Sequence, residues 1–167
     1  HGGISWNDAK AEADAKLYAG VNGYLATVTS QAELDFIENS VIPNGPASLN
    51  TYIGGKQVAE ITNKWIWSDG PENGTVFWDN GPVSGQYSNW DTINGYPLVR
   101  VATEQYLGIN NYGIPKFGTE ESYGFSGFVV EYSGFSTLQP QLSSYVSGTV
   151  LNIINNLDAL ENLTSNN

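Results

Sequence analysis

The residues of this chain best equipped for chemistry are aromatic rings and carboxylates. Trp65 and Trp67 stand two apart directly before Ser68-Asp69-Gly70, and the stretch from Pro71 to Pro97 adds Phe77, Trp78, Tyr87, Trp90 and Tyr96 among Gly and Asn. Rings in such a setting either stack on a ligand or staple a loop to a core. Trp65 and Trp67 point the same way from a strand and read as core. Phe77 and Trp90 read first as anchors of the stretch, although they could also form a platform with Trp78 and Tyr87. Tyr96 and Tyr112 read as the exposed rings, because Gly and Asn surround them.

The carboxylates offer a different chemistry. Asp69, Glu72, Asp79 and Asp91 lie in or beside the same stretch, and Glu120-Glu121 follow it. Calcium takes oxygen ligands of this type. An acidic protein always has such groups, so the plainer reading is a solvated acidic surface, and no cofactor is called for. Catalysis finds little support. His1 is the sole histidine, there is no cysteine, and no pair among the 17 acidic residues is singled out by spacing. A Ser-His-Asp relay therefore lacks its base, and thiol or zinc-thiolate chemistry lacks its sulfur. The chain reads as a protein that is not an enzyme.

Charge narrows the partners. The net charge is −11 with only six Lys and Arg, which argues against phosphate backbones and anionic membrane surfaces, since both are bound by cations. Low charge content of 14% beside 19 Gly and 13% aromatics describes a surface that hydrogen-bonds more than it ionises. That composition suits an extracellular or cell-surface address. No apolar run is long enough to span a bilayer, and no membrane insertion is expected.

The elements that must position these residues follow from local pattern. Residues 4–18 carry Ala, Lys and Glu at helix-favouring density, with Ser5 or Asn7 as cap and Gly20 or Gly23 as stop. Residues 23–28 read as a short strand. Thr29 or Ser30 caps a second helix, Glu33 completes a capping box, and Leu34, Phe36 and Ile37 supply its buried side until Pro43. Tyr52–Gly55 reads as a strand that pairs with Trp65–Trp67 across a hairpin. From Pro71 to Pro97 no period is sustained, and a loop of that length inside a compact domain is commonly functional. The fold class is α+β, with helical pattern early and short strands later.

Ser5-Trp6-Asn7-Asp8-Ala9, residues 23–30, Tyr52-Ile53-Gly54-Gly55, residues 65–72, Tyr87-Ser88-Asn89-Trp90 and residues 127–132 occur in an order that resembles a C-type lectin domain of the cysteine-free bacterial kind. The resemblance covers about residues 2–133. It implies a C-type lectin-like fold: two helices, small antiparallel sheets and a long loop that carries the ligand site. Members that bind sugar through calcium resemble one another in a Glu-Pro-Asn turn, a following acidic residue and a Trp-Asn-Asp segment. Here the turn reads Gly95-Tyr96-Pro97-Leu98 and the later region Ile114-Pro115-Lys116-Phe117-Gly118, so of those ligand positions only Glu104 matches. The usual calcium site is therefore not expected, and recognition would rest on stacking and neutral hydrogen bonds. The candidate ligand-binding residues are Tyr87, Trp90, Tyr96, Glu104, Asn110 and Tyr112.

Residues 134–149 are rich in Ser, Gly and Gln and read as a linker. In 150–167, and just before it at Val146, apolar residues recur at helical spacing through Val150, Ile153, Leu157 and Leu160, which suggests an amphipathic tail or the start of a next module. The resemblance also implies a short aromatic strand ahead of the first helix, beside the closing strand. With only His1-Gly2-Gly3-Ile4 before that helix, Phe128, Val130 and Tyr132 are expected to offer an edge for self-association or strand addition. Together these readings describe an extracellular recognition or adhesion module that binds a glycan or surface protein. The alternative is a structural subunit of a larger surface adhesin or fibre.

Overall fold

The computed structural model describes residues 3–42, 51–58, 63–97, 105–109, 115–120 and 125–133. The chain divides into two units, His1–Glu131 and Tyr132–Asn167. The expected linker at 134–149 and tail at 150–167 lie outside the described residues.

Helix α1 spans Trp6–Ala15. Ser5 caps it: its Oγ accepts the Asp8 N–H at 3.0 Å, and Asp8 adds a favourable negative charge to the first turn. Trp6, Ala9 and Ala13 form the buried face, and the Trp6 indole donates to the Ile53 carbonyl at 3.0 Å. The helix stops earlier than its composition suggests. Lys16 is already extended, and Leu17–Tyr18 (β1) pairs with Val21–Asn22 (β2). The turn between them places Ala19 at φ +48° and Gly20 at φ +82°, which matches the two-residue hairpin geometry that follows strand twist.

Strand β3 is Tyr24–Leu25, shorter than the expected 23–28. Helix α2, Gln31–Phe36, continues as a wider turn over Ile37–Val41. Its capping box forms as the sequence suggests, with one shift. Ser30 Oγ accepts the Glu33 N–H, but the Glu33 carboxylate reaches back to the N–H of Thr29, at 2.7 Å.

Five strands follow one another across the main sheet in the order β6 (Val76–Asp79), β5 (Lys64–Trp67), β4 (Thr51–Gln57), β7 (Tyr106–Ile109), β8 (Gly118–Glu120). All these pairings are antiparallel, and Gly55 faces Trp67 in the expected hairpin. Strand β9 (Gly127–Phe128) runs parallel to the start of β4, and β10 (Val130–Glu131) pairs antiparallel with β3. Glycine is required where layers approach closely. A Cβ on Gly54 would lie 2.7 Å from the Leu25 carbonyl oxygen, and one on Gly108 would enter the Phe125 ring.

Two apolar clusters result. The larger gathers Trp65, Trp67, Phe77, Trp90, Phe117 and the aliphatic residues of α2, β4 and β7. The smaller joins the Trp6, Ala9 and Ala13 face of α1 to Leu25, Tyr52, Tyr106 and Phe125. Thus Trp65 and Trp67 are core residues, as their strand spacing implies. The stretch from Pro71 to Pro97 is not structureless: it contains β6 and a short turn of 3-10 helix over Thr92–Asn94. Val76-Phe77-Trp78-Asp79 is too short a run to reveal its period, but Phe77 is fully buried and packs on Trp67.

Candidate ligand-recognition surface

The outer part of the 71–97 stretch is built upward from its anchors. Trp90 is 5% exposed and packs edge-on against Trp65 at 5.0 Å. On either side of it, the Asp91 N–H donates to the Phe117 carbonyl at 3.0 Å, and the Phe117 N–H donates to the Asn89 carbonyl at 2.8 Å. Asp91, itself 6% exposed, receives the Asn94 backbone N–H and side-chain amide on its carboxylate. Gly95 then turns at φ +83°, and the Tyr96 N–H returns to the Asp91 carbonyl at 3.1 Å. The Tyr96–Pro97 peptide is cis.

This scaffold exposes Thr92, Ile93, Asn94 and Gly95, with Ile93 at 87% exposure. Tyr96 is half-buried and leans on the larger cluster. Beside α2, the Tyr87 hydroxyl donates to Gln31 Oε1 at 2.9 Å, and the Asn89 amide reaches the same oxygen at 3.4 Å. Burial raises the Tyr87 pKa, so its hydroxyl stays a neutral donor. The described surface is thus one of amides, a hydroxyl and apolar edges.

Of the candidate residues, Tyr87 and Tyr96 are partly exposed and pack against the larger cluster. Trp90 is corrected: its ring is an anchor within the core and offers no platform to a ligand, because five-ring packing with Trp65, Phe77, Trp78 and Phe117 surrounds it. Glu104, Asn110 and Tyr112 lie outside the described residues. Gln31, Ile93 and Asn94 were not singled out by sequence. Ile93 carried the one available signal, an aliphatic residue inside Thr-Ile-Asn-Gly; Gln31 read only as the start of a helix.

The carboxylates also need correction as a solvated set. Asp69 is 7% exposed: it accepts Lys10 Nζ at 2.8 Å and the Leu25 N–H at 2.9 Å, tying α1 and β3 to the turn after β5. Burial opposes the charge on Lys10, yet its bonds to Asp69 and Asp14 more than offset that and hold its pKa above the ordinary value. Asp91 caps a turn, as described above. Asp79 pairs with Lys64 at 2.9 Å on the surface. Among the described residues, no three His, Asp or Glu side chains gather as a metal-holding group.

A second acidic network gathers beside β3. Glu131 accepts the Tyr24 hydroxyl at 2.6 Å and the Thr27 N–H at 3.1 Å, while the Thr27 hydroxyl donates to Glu72 at 2.8 Å. Burial raises the Glu131 pKa; these two hydrogen bonds offset part of that, and the charges of Glu33 and Glu72 add to it. A raised folded-state pKa favours the protonated acid in the fold. Its stabilising contribution is complete below the ordinary glutamate value and is lost as pH rises through the raised one. Carboxyl NMR titration should therefore give a Glu131 midpoint above the ordinary glutamate value, and Glu72→Gln should move that midpoint down. A midpoint at or below the ordinary value would contradict this account.

This arrangement of two helices, a central hairpin-fed sheet and a long anchored excursion is the C-type lectin-like fold. The C-type lectin CEL-I from Cucumaria echinata superposes with a TM-score of 0.51 at 17% identity, over 78% of this chain and 84% of its own. A mutant of CEL-I gives a TM-score of 0.52 at the same identity, over 78% of this chain and 83% of its own. In sequence, the chain is 34% identical over 135 residues to halomucin of Haloquadratum walsbyi, a match that takes in 80% of this chain and 1% of halomucin. It is 33% identical over 94 residues to lithostathine of Rattus norvegicus, covering 56% of this chain and 46% of that protein. The chain thus spans under half the length of the curated relatives it matches. No family model matches the chain.

Proposed function

We propose that this chain is a recognition module that binds a glycan through the surface around Gly95-Tyr96-Pro97, without a calcium ion at that turn. The observation that carries the reading is the makeup of the turn itself. Where calcium-binding lectins of this fold class present carboxylate and amide oxygens, this chain presents the Tyr96 ring, with the nearest buried carboxylate, Asp91, committed to Asn94. Gln31, Tyr87 and Asn89 add neutral donors and acceptors suited to hydroxyl groups. Aromatic rings suit the apolar faces of sugars in the same way that they suit other flat apolar surfaces.

The reading is of a binding protein and not an enzyme, supported by the fold class. An extracellular or cell-surface setting is supported by the weakly charged, Gly- and Asn-rich composition and by the likeness to part of halomucin. No described helix is long and apolar enough to cross a membrane. A second reading, a building unit of a larger surface adhesin, is favoured by one observation: four-fifths of this chain matches one-hundredth of a far longer protein.

A glycan array probed with the chain tests the first reading. Binding should persist in EDTA, and Tyr96→Ala should weaken it by about threefold to tenfold, the scale of one aromatic contact. Binding abolished by EDTA, or micromolar calcium affinity by calorimetry that Glu104→Ala removes, would overturn it.

A further inference from the structure

Asn22, Asn44, Asn73, Asn80 and Asn94 are each followed directly by glycine. The main-chain nitrogen after an asparagine can attack that asparagine's own side-chain carbonyl carbon, and glycine offers the least obstructed such nitrogen because it carries no Cβ. Asn44-Gly45 lies outside the described residues. In the other four pairs the asparagine is exposed, so exposure does not rank them; hydrogen bonding does. The Gly23 N–H donates to the Lys16 carbonyl at 2.9 Å, the Gly74 N–H to the Trp67 carbonyl at 2.8 Å and the Gly95 N–H to the Thr92 carbonyl at 3.2 Å. Each of these nitrogens must give up its acceptor before it can turn on its asparagine. Of the four, only the Gly81 N–H has no acceptor among the described residues.

The turn around Gly81 is held by other groups. The Asn80 N–H donates to the Asn63 carbonyl and the Asp79 N–H to the Gly81 carbonyl, both at 2.9 Å. Asn80 sits at φ +52°, a left-handed conformation that strains any residue with a Cβ. Its side-chain nitrogen donates to Asp79 Oδ1 at 3.1 Å, an exposed contact with a carboxylate whose other oxygen holds Lys64 at 2.9 Å. Nothing closes over the glycine: a Cβ built on Gly81 would meet no atom within 4 Å. Turn strain, an open flank and an uncommitted nitrogen therefore coincide at one pair.

We propose that Asn80-Gly81 is a modification site, at which the folded chain converts Asn80 spontaneously to aspartate and its β-linked isomer while Asn22, Asn73 and Asn94 are protected. The Gly81 nitrogen bonds to Asn80 Cγ and gives up its proton to water. The Cγ–Nδ2 bond breaks, and Nδ2 leaves with a proton as ammonia. Water then adds to either carbonyl of the resulting cyclic imide and reopens it. One water is consumed, one ammonia is released, nothing is oxidised or reduced, and the turn gains one negative charge beside Asp79. The β-linked product also inserts a carbon into the main chain between Asn80 and Gly81, whose carbonyl the Asp79 N–H binds, so that product must reshape the turn by which β6 leads into the excursion. The inference is independent of the glycan surface and would stand if that surface bound nothing.

Peptide mapping by fragment mass tests it, on the full chain aged at mildly alkaline pH, once folded and once in urea. In the folded chain Asn80 should convert about fivefold or more faster than Asn22, Asn73 or Asn94, the factor that one retained hydrogen bond supplies. In urea the four should converge. Asn80 level with or slower than any of the three in the folded chain would overturn the proposal. The same ranking in urea would also overturn it, because local sequence and not the fold would then set the order. Gly81→Ala fits the open space and a backbone that is not left-handed there, so it should slow conversion at Asn80 severalfold with an unchanged melting temperature. Amide exchange checks the premise separately. The Gly81 amide should exchange faster than those of Gly23, Gly74 and Gly95, and a Gly81 amide as slow as theirs would show it bonded and sink the idea.

Discussion

Trp67→Ala is expected to destabilise the domain by roughly 3–5 kcal/mol, the usual cost of emptying a buried indole site. The ring is 1% exposed, stacks on Phe77 at 4.5 Å between centroids and meets Phe117 edge-on at 6.2 Å. Those two neighbours come from β6 and from the residue just before β8, so the cavity would open between segments that are held apart by the sheet. A loss of that size is a large share of the roughly 5–15 kcal/mol that holds a domain together. Urea unfolding measures it. A loss under about 1 kcal/mol would mean that the surrounding rings close over the gap, and that the cluster is less rigid than its packing implies. Because Phe77 and Trp90 share the cluster, the variant should also loosen the base of the proposed glycan surface.

Asp69→Ala should cost roughly 3 kcal/mol, although the side chain is small. The effect arises from what is left behind. Leu25 is fully buried and its N–H would lose its acceptor, while Lys10 would lose the partner that holds it against the turn. Lys10 is partly exposed and can turn to water, so Lys10→Met should cost distinctly less. Equal losses from the two substitutions would show that the ion pair, and not the orphaned amide, dominates. Thermal melts of both variants decide the matter, since 3 kcal/mol corresponds to about 10 °C in a domain of this size.

Much of this fold was legible from the sequence, and the reasons lie in particular residues. Ser5, Ser30 and Glu33 announced two helix starts because capping is a local chemistry of a few neighbouring groups. Trp65 and Trp67 announced a core strand because a period of two survives in four residues. The end of α1 was overread: Ala and Lys continue to favour helix at residues 15–16, but Ala19-Gly20 needs a left-handed turn, and the hairpin closes backward over Leu17-Tyr18. Strand β6 was hidden because its alternation spans only Val76–Asp79 within a Gly-rich stretch. The site was less legible than the fold. Trp90 reads first as an anchor and Tyr96 as an exposed ring, yet both also stand among the candidate ligand residues, and the bridge of Trp90 to Phe117 beside Asp91 is what takes the Trp90 ring out of reach of a ligand. Asp69 and Asp91 read as surface charges because burial of a carboxylate depends on donors brought from Lys10, Leu25 and Asn94 by the fold. The contribution of Gln31 depends on α2 lying beside Tyr87, a contact across 56 positions of chain that no local pattern encodes.

The separation of the aromatic residues into two clusters has an optical consequence. Trp65, Trp67, Trp78 and Trp90 belong to one network of rings, with Trp65 and Trp90 close enough at 5.0 Å for their electronic transitions to couple, whereas Trp6 stacks on Tyr106 at 4.8 Å in the other cluster. Intrinsic emission from the wild-type chain therefore mixes two reporters. With Trp6 replaced by phenylalanine, the remaining indoles report on the larger cluster, which carries the proposed glycan surface, and their near-ultraviolet dichroism becomes a direct gauge of whether that cluster is packed while α1 and its own cluster are perturbed at will.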